Sequence, residues 1–170
     1  RSGRQRGENV PAVIATGYCG DPGRGWNDLV RRTVGAHHRL PWEVLFFDGS
    51  FGRPLSPEGA GPYAELLEMR RLAPSASNKQ PWRIVRQGAA GHFYMERTPG
   101  YAPGSYGRLV GIADLQRTDL GIAMAHWALT AAEAGLAGEW LVQEPPLEKP
   151  GRLVHYTASW VPTSGPHGPS

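Results

Sequence analysis

Residues 73–82 read APSASNKQPW, and this short run organises the rest of the chain. It joins an amphipathic, helix-like segment to a strand-like one. Pro74 and Pro81 each fix φ and remove a donor, so the backbone between them is stiff. Ser75, Ser77, Asn78 and Gln80 add hydroxyls and amides, and between them these groups both donate and accept. The same residues suit an ordinary helix-terminating loop, in which Ser and Asn cap backbone groups and Pro81 keeps the helix from resuming. They also suit a planar heterocycle whose edge alternates carbonyl and N–H groups, because such an edge needs a matching comb of donors and acceptors. The pyrimidine edge of a flavin has that pattern.

Working outward from the loop, the spacing predicts helices and strands in a definite order. Tyr63, Leu66, Met69 and Ala73 recur at helical spacing, and the helix should begin near Pro62, since proline inside a helix begun at Ser56 would remove a hydrogen bond and clash one turn back. Residues 82–86 and 92–97 are strand-like, and the Gly and Ala content of residues 87–91 suits a hairpin, so the loop opens a β-hairpin. Residues 120–136 are apolar on nearly every side, which predicts a helix buried between layers, with Gly135 and Leu136 as a left-handed C-cap. A strand at 140–142 and another at 153–161 follow. Upstream, Asn27 caps a short helix through Val34, and Pro41 opens a second one with Trp42, Leu45 and Phe46 on one face. Residues 9–18 form a further strand. The fold class expected is α+β, a mostly antiparallel central sheet with a buried central helix and flanking helices.

Bulk numbers narrow the function classes. At 170 residues the chain can form one ordinary domain; a domain of about 150 residues buries roughly 70% of the surface its unfolded chain exposes. Lys and Arg number 18 against 15 acids, so the net charge of +3 rests on a small imbalance and nucleic acid is not the favoured partner. Arg1, Arg4 and Arg6 read as a polar end, as do residues 162–170. A single cysteine, Cys19, rules out an intrachain disulfide and fits a cytoplasmic setting. No apolar run approaches about 18 residues, so no membrane partner is expected.

Other chemistry finds little support. His126 lies within the apolar helix as a core histidine, and adjacent His37 and His38 diverge by about 100° on a helix, so no metal is expected. Asp114 and Asp119 flank the start of the central helix, where acids favour the positive end of the macrodipole. No GxGxxG or Walker-type loop follows a strand.

The 73–82 run resembles the signature of the FMN-dependent nitroreductase superfamily, APSxxNxQPW between a helix and a strand. Residues 42–52 (WEVLFFDGSFG), 63–72 (YAELLEMRRL), 92–97 (HFYMER) and 116–140 (QRTDLGIAMAHWALTAAEAGLAGEW) resemble flanking segments of its TM nitroreductase branch. The resemblance implies two nitroreductase-like repeats, of which this chain carries the second. Residues 1–24 would close a preceding repeat, 25–161 would form the repeat itself, and 162–170 a disordered tail. An upstream half missing from this chain is expected from the two similar closing strands and from the start at Arg1.

The same resemblance implies an FMN-dependent NAD(P)H oxidoreductase that passes hydride through flavin to a nitroaromatic or quinone-like acceptor. Pro74, Ser75, Ala76, Ser77, Asn78 and Gln80 are the flavin-binding residues it carries over, with no catalytic residue assigned. The rest of the site would come from the upstream repeat or a homodimer partner. An RRSxR-type phosphate motif is not present at residues 39–46, and Arg31, Arg32 and Thr33 lie too far upstream to take its place. The alternative is a non-catalytic flavin-binding or dimerisation module; a third reading is an unstable fragment with apolar surface around the central helix.

Overall fold

Trp82, Ile84, Phe93, Met95 and Trp160 put large apolar side chains on one face of a sheet, and two helices cover them. A computed structural model describes residues 38–100 and 114–163. In chain order the elements are α1 (Trp42–Leu45), β1 (Phe46–Asp48), α2 (Pro57–Ala60), α3 (Ala64–Leu72), β2 (Trp82–Gln87), β3 (Ala90–Glu96), α4 (Leu115–Glu133), β4 (Gly138–Leu141) and β5 (Val154–Pro162). Two 3-10 turns, Gly61–Tyr63 and Ala76–Asn78, flank α3. The expected strand at 9–18 and helix at 27–34 lie outside the described residues, as do Cys19, His37 and the basic N-terminal cluster.

The five strands run in the order β1-β2-β3-β5-β4. Among the described residues only the β1–β2 pair is parallel. The fold is therefore α+β with a mostly antiparallel sheet, as expected. β2 and β3 form the expected hairpin around a two-residue turn, with Gly88 at φ 57 supplying the left-handed residue such a turn requires. Side chains alternate across the pleat. Those of Trp82, Ile84, Phe93 and Met95 meet Leu66 and Leu67 of α3 and Leu120, Ala123 and Trp127 of α4. Val85, Tyr94 and Val154 face the other way and pack with Phe47, Phe51 and Tyr156.

Three expectations about boundaries change. Phe46 does not continue the face of the helix opened by Pro41: α1 lasts one turn, and Phe46 begins β1, paired with Ile84, where its ring is fully buried. A helix does start from Ser56, whose Oγ accepts the Gly59 N–H at 3.0 Å, but it stops at Ala60 because Gly61 has φ 57 and Pro62 follows. The long helix then resumes at Ala64. The third change concerns α4, which begins at Leu115 rather than 120 and buries one stripe: Gln116, Asp119, Leu120, Ala123, Trp127, Thr130 and Ala131. Leu129, on the opposite side, is 66% exposed, so this helix covers the sheet with one face and leaves another open. Its end matches the reading: Leu136 N–H bonds the Ala131 carbonyl and Gly135 N–H the Ala132 carbonyl, with Gly135 at φ 69.

β4 reaches its place only because residue 138 has no side chain. A Cβ there would lie 2.3 Å from the Trp160 indole, a buried ring already packed against Tyr63 and Trp127.

Arg70 is the least expected member of the core. It is fully buried, its guanidinium sits 5.1 Å from the Trp82 ring and 4.8 Å from the Phe93 ring, and among the described residues none of its side-chain nitrogens has a hydrogen-bond partner. Burial alone pushes its pKa well down. Removing a cation from water costs several kcal/mol even after relaxation, whereas a desolvated cation–π contact returns about 2 kcal/mol. The unpaired charge therefore opposes folding on balance, while its stem fills space. Arg70→Met, which keeps the volume and removes the charge, is expected to raise the thermal midpoint. Arg70→Ala, which empties the space, is expected to lower stability by about 2–5 kcal/mol. Thermal and urea denaturation check both, and a fall for Arg70→Met would show that the two rings hold the cation better than water does.

Candidate functional site

α3 hands over to the 73–82 loop with Ala73 extended at φ −55, ψ 141, where it caps the helix. Ser75 is also extended, and its Oγ accepts the Gln80 N–H at 2.9 Å, closing the loop on itself. Asn78 N–H bonds the Ser75 carbonyl and Lys79 N–H the Ala76 carbonyl, which makes the single 3-10 turn between them. Within this turn the backbone is strained. Ser77, Asn78 and Gln80 have φ of 50, 52 and 46, three left-handed residues among four, with no glycine among them. Such conformations cost of order 1 kcal/mol each for a residue with a Cβ and persist only where the surroundings hold them.

Two sets of contacts hold this loop. On the α4 side the Ala76 N–H donates to Asp119 Oδ1 at 2.8 Å. On the other side, the segment that enters α1 lies against the loop's amides. Asn78 Nδ2 donates to the His38 carbonyl at 2.7 Å, Gln80 Nε2 donates to the same carbonyl at 3.2 Å, and Gln80 Oε1 accepts the Leu40 N–H at 2.9 Å. Arg39 donates to Asn78 Oδ1 and to the Leu72 carbonyl, each at 3.3 Å.

The six residues singled out from sequence take divided roles in this loop. Gln80 is buried, and its amide is turned inward as a fastening. Ser75 uses its hydroxyl inside the loop, and Ala76 uses its N–H on Asp119. Pro74 and Ser77 are exposed and Asn78 is half-buried, so these three form the outward part.

Asp119 departs from its expected role. Asp114, not Asp119, caps α4, accepting the Arg117 N–H at 3.4 Å, and Arg97, bonded at 2.6 and 3.1 Å, holds its carboxyl below the usual range. Asp119 lies in the second turn of α4, facing the loop and only 3% exposed; its Oδ2 has no hydrogen-bond partner among the described residues. Burial pushes its pKa up, the Ala76 N–H opposes this, and the charge on Asp114 adds to the rise. Sequence reasoning also passed over His38, Arg39 and Leu40 as partners of the loop, because those contacts span about 40 residues and His38 and Leu40 make theirs through backbone groups. An acid on the apolar stripe 116, 119, 120, 123, 127 was the available signal for Asp119.

His126 is half-buried on α4, and among the described residues no group of three His, Cys, Asp or Glu side chains is placed to hold a metal ion. No helix among the described residues is long and apolar enough to cross a membrane.

Set beside known proteins, residues 2–131, well over half of the chain, match the family model described as Putative TM nitroreductase. No curated protein and no solved structure matches the chain.

Asp119→Asn is expected to keep the Ala76 contact through the amide oxygen while removing a buried charge. A carboxyl whose folded pKa is raised above its unfolded value of 3.8 adds stability below that value and loses it as pH rises through the folded pKa. Asp119→Asn should therefore gain on the wild type as pH rises from about 3.5 to 7, followed by thermal midpoints across that range. A difference independent of pH would show that Asp119 titrates alike in the folded and unfolded chain. Asp119→Ala, which leaves the Ala76 N–H without its acceptor, should cost about 1–3 kcal/mol.

Proposed function

The chain belongs to the Putative TM nitroreductase family, and from that premise we propose an FMN-dependent NAD(P)H oxidoreductase in which the 73–82 loop forms one wall of the flavin site. Nitroreductase-type oxidoreductase function follows from the family; the flavin, the reductant and the loop's part in the site are our reading. The observation that carries it is the loop's backbone. Three strained residues in four, pinned by Asp119 on one side and by residues 38–40 on the other, make a surface more rigid than a helix stop needs. Strain of this kind gathers where a ligand is clamped.

The residues present fit a flat polar edge. Asn78 lies at the half-exposed rim with its amide fixed by His38 and Arg39, and the exposed Ser77 lies beside it. Pro74 stiffens the entry, and Ser75, Ala76 and Gln80 hold the loop in shape from behind. When bound, FMN supplies the hydride chemistry, accepting from NAD(P)H and passing to a nitroaromatic or quinone-like acceptor. What this chain adds there is orientation: groups already ordered before the ligand arrives need not lose freedom on binding it. The phosphate and the opposite wall are assigned to a preceding repeat or to a second copy of the chain.

A titration of the purified chain with FMN, read by flavin fluorescence, tests this reading. Asn78→Ala is expected to weaken binding about tenfold, near 1.4 kcal/mol, with the circular dichroism of the wild type. Ser77→Gly, which relieves a left-handed serine, should raise the thermal midpoint yet also weaken FMN, because the pre-set shape is lost. If both variants hold FMN as tightly as the wild type, the loop is no flavin wall. NADH oxidation with a quinone then separates an enzyme from a flavin-binding module that turns nothing over.

A further inference from the structure

Two fastenings hold the 73–82 loop, and they differ in kind. The one toward α1 rests on amides and backbone: Asn78 and Gln80 donate to the His38 carbonyl, and Gln80 accepts from the Leu40 N–H. None of those groups gains or loses a proton in the ordinary pH range. The one toward α4 is a single bond, from the Ala76 N–H to Asp119 Oδ1 at 2.8 Å, and its acceptor titrates. Ser77 and Asn78, both left-handed, follow Ala76 directly. Backbone in that region persists only where its surroundings hold it, so the outward part of the loop depends on both fastenings.

A carboxylate that accepts an N–H makes a charge-assisted bond, roughly twice as strong as one between neutral groups. Protonating Asp119 takes that assistance away. It also leaves an O–H in a buried place where Oδ2 has no partner among the described residues. The surroundings bring this step closer to neutral pH: burial raises the carboxyl pKa, the Ala76 N–H opposes the rise, and the charge on Asp114 adds to it.

The cations on the neighbouring elements are engaged elsewhere. At the start of α4, Asp114 is held by Arg97 at 2.6 Å, with Arg117 Nε 3.6 Å away. On α3, Arg71 pairs with Glu68 at 2.7 Å, and buried Arg70 lies against the Trp82 and Phe93 rings. In the loop itself Lys79 is exposed, and ahead of α1 Arg39 bonds Asn78 and the Leu72 carbonyl. Asp119 therefore meets the loop through one backbone N–H, and the charge of that bond belongs to the carboxylate alone.

We propose that Asp119 is an acid-sensitive latch on the flavin wall: ionised, it holds the turn at Ala76–Asn78 in the shape the flavin meets, and protonated, it lets that turn relax so that flavin binding weakens. This inference rests on the flavin reading above. Asp119 acts through the loop, which makes it a positioning residue. Since the flavin meets the ionised form, binding is strongest above the folded pKa of the carboxyl and falls as pH drops through it. Linkage makes the effect reciprocal: the factor by which acid weakens flavin binding is the factor by which bound flavin favours the carboxylate.

Riboflavin is the probe, because it lacks the phosphate of FMN and brings no phosphate proton into the titration. Its affinity for the full chain is read by flavin fluorescence in steps from about pH 7 to 4, with circular dichroism at each step to keep the comparison to folded protein. The Ala76 amide resonance is followed by NMR over the same range, with and without riboflavin. Wild-type affinity is expected to fall about tenfold in step with the Ala76 resonance, and saturating riboflavin should move the Ala76 titration to lower pH. Asp119→Asn, neutral throughout, should bind at pH 7 as weakly as the wild type does in acid, with no dependence on pH. Affinity that ignores pH, or an Ala76 titration that riboflavin leaves in place, overturns the coupling. An Ala76 resonance that does not titrate overturns the latch itself, in an arm that needs neither variant nor flavin. If Ala76 titrates but riboflavin binds at no pH, the flavin reading falls and takes the coupling with it, and the latch serves the fold alone.

Discussion

The hydrogen bond from the Ala76 N–H to the Asp119 carboxylate ties the longest helix of the described structure to its most strained loop. Both groups need the other. The Ala76 N–H opens a 3-10 turn and has no acceptor within it, and the carboxylate is withdrawn from water by the packing of α4 on α3 and the sheet. An ionised carboxylate in such a place is tolerated only where donors meet it. Here, among the described residues, one oxygen is met and the other is not, and burial raises the carboxyl pKa. The contact thus fixes how the loop sits on the helix while leaving the group that fixes it under electrostatic load.

Strain in the loop makes sense only with its second fastening. Were the Asp119 contact alone, Ser77, Asn78 and Gln80 would be free to relax out of the left-handed region. The His38 carbonyl prevents this by accepting from both Asn78 and Gln80, and Leu40 N–H returns a bond to the Gln80 amide. The buried glutamine is therefore a positioning residue: it joins the loop to the segment that leads into α1, and α1 in turn delivers Phe46 into the parallel pairing with β2. Loop geometry, sheet edge and helix packing are set together.

Sequence carried the parts of this arrangement that depend on local chemistry. The hairpin after the loop, the Gly135 cap with its Leu136 contact and the α+β class all follow from short-range residue preferences, and each is present. What it did not carry is long-range. Phe46 has the spacing of a helix face, but one-turn α1 gives way to β1 because Ile84 offers a strand partner. Asp119 reads as a helix-start acid until the loop is seen to need an acceptor there. Arg70 was not singled out from the sequence, and the shape of the core turns it inward between Trp82 and Phe93. The six loop residues lie together because they are neighbours in sequence, whereas the division between outward and inward members depends on carbonyls some 40 positions away.

The apolar character of α4 acquires a reason from this division. A helix that is hydrophobic all round is ordinarily enclosed, yet here only the stripe from Gln116 to Ala131 is buried. The remaining apolar positions fall into two sets. Gly121 and Met124 line a cleft beneath Arg117, beside the buried Leu120. Ala125 and Leu129 lie outside it, with Leu129 largely in contact with solvent. Single exposed leucines are common on folded proteins and require no partner. The buried stripe carries two duties at once: Leu120, Ala123 and Trp127 close over the sheet, while Asp119, one position before Leu120, holds the strained loop. The composition that first reads as a core helix is the sum of those two duties.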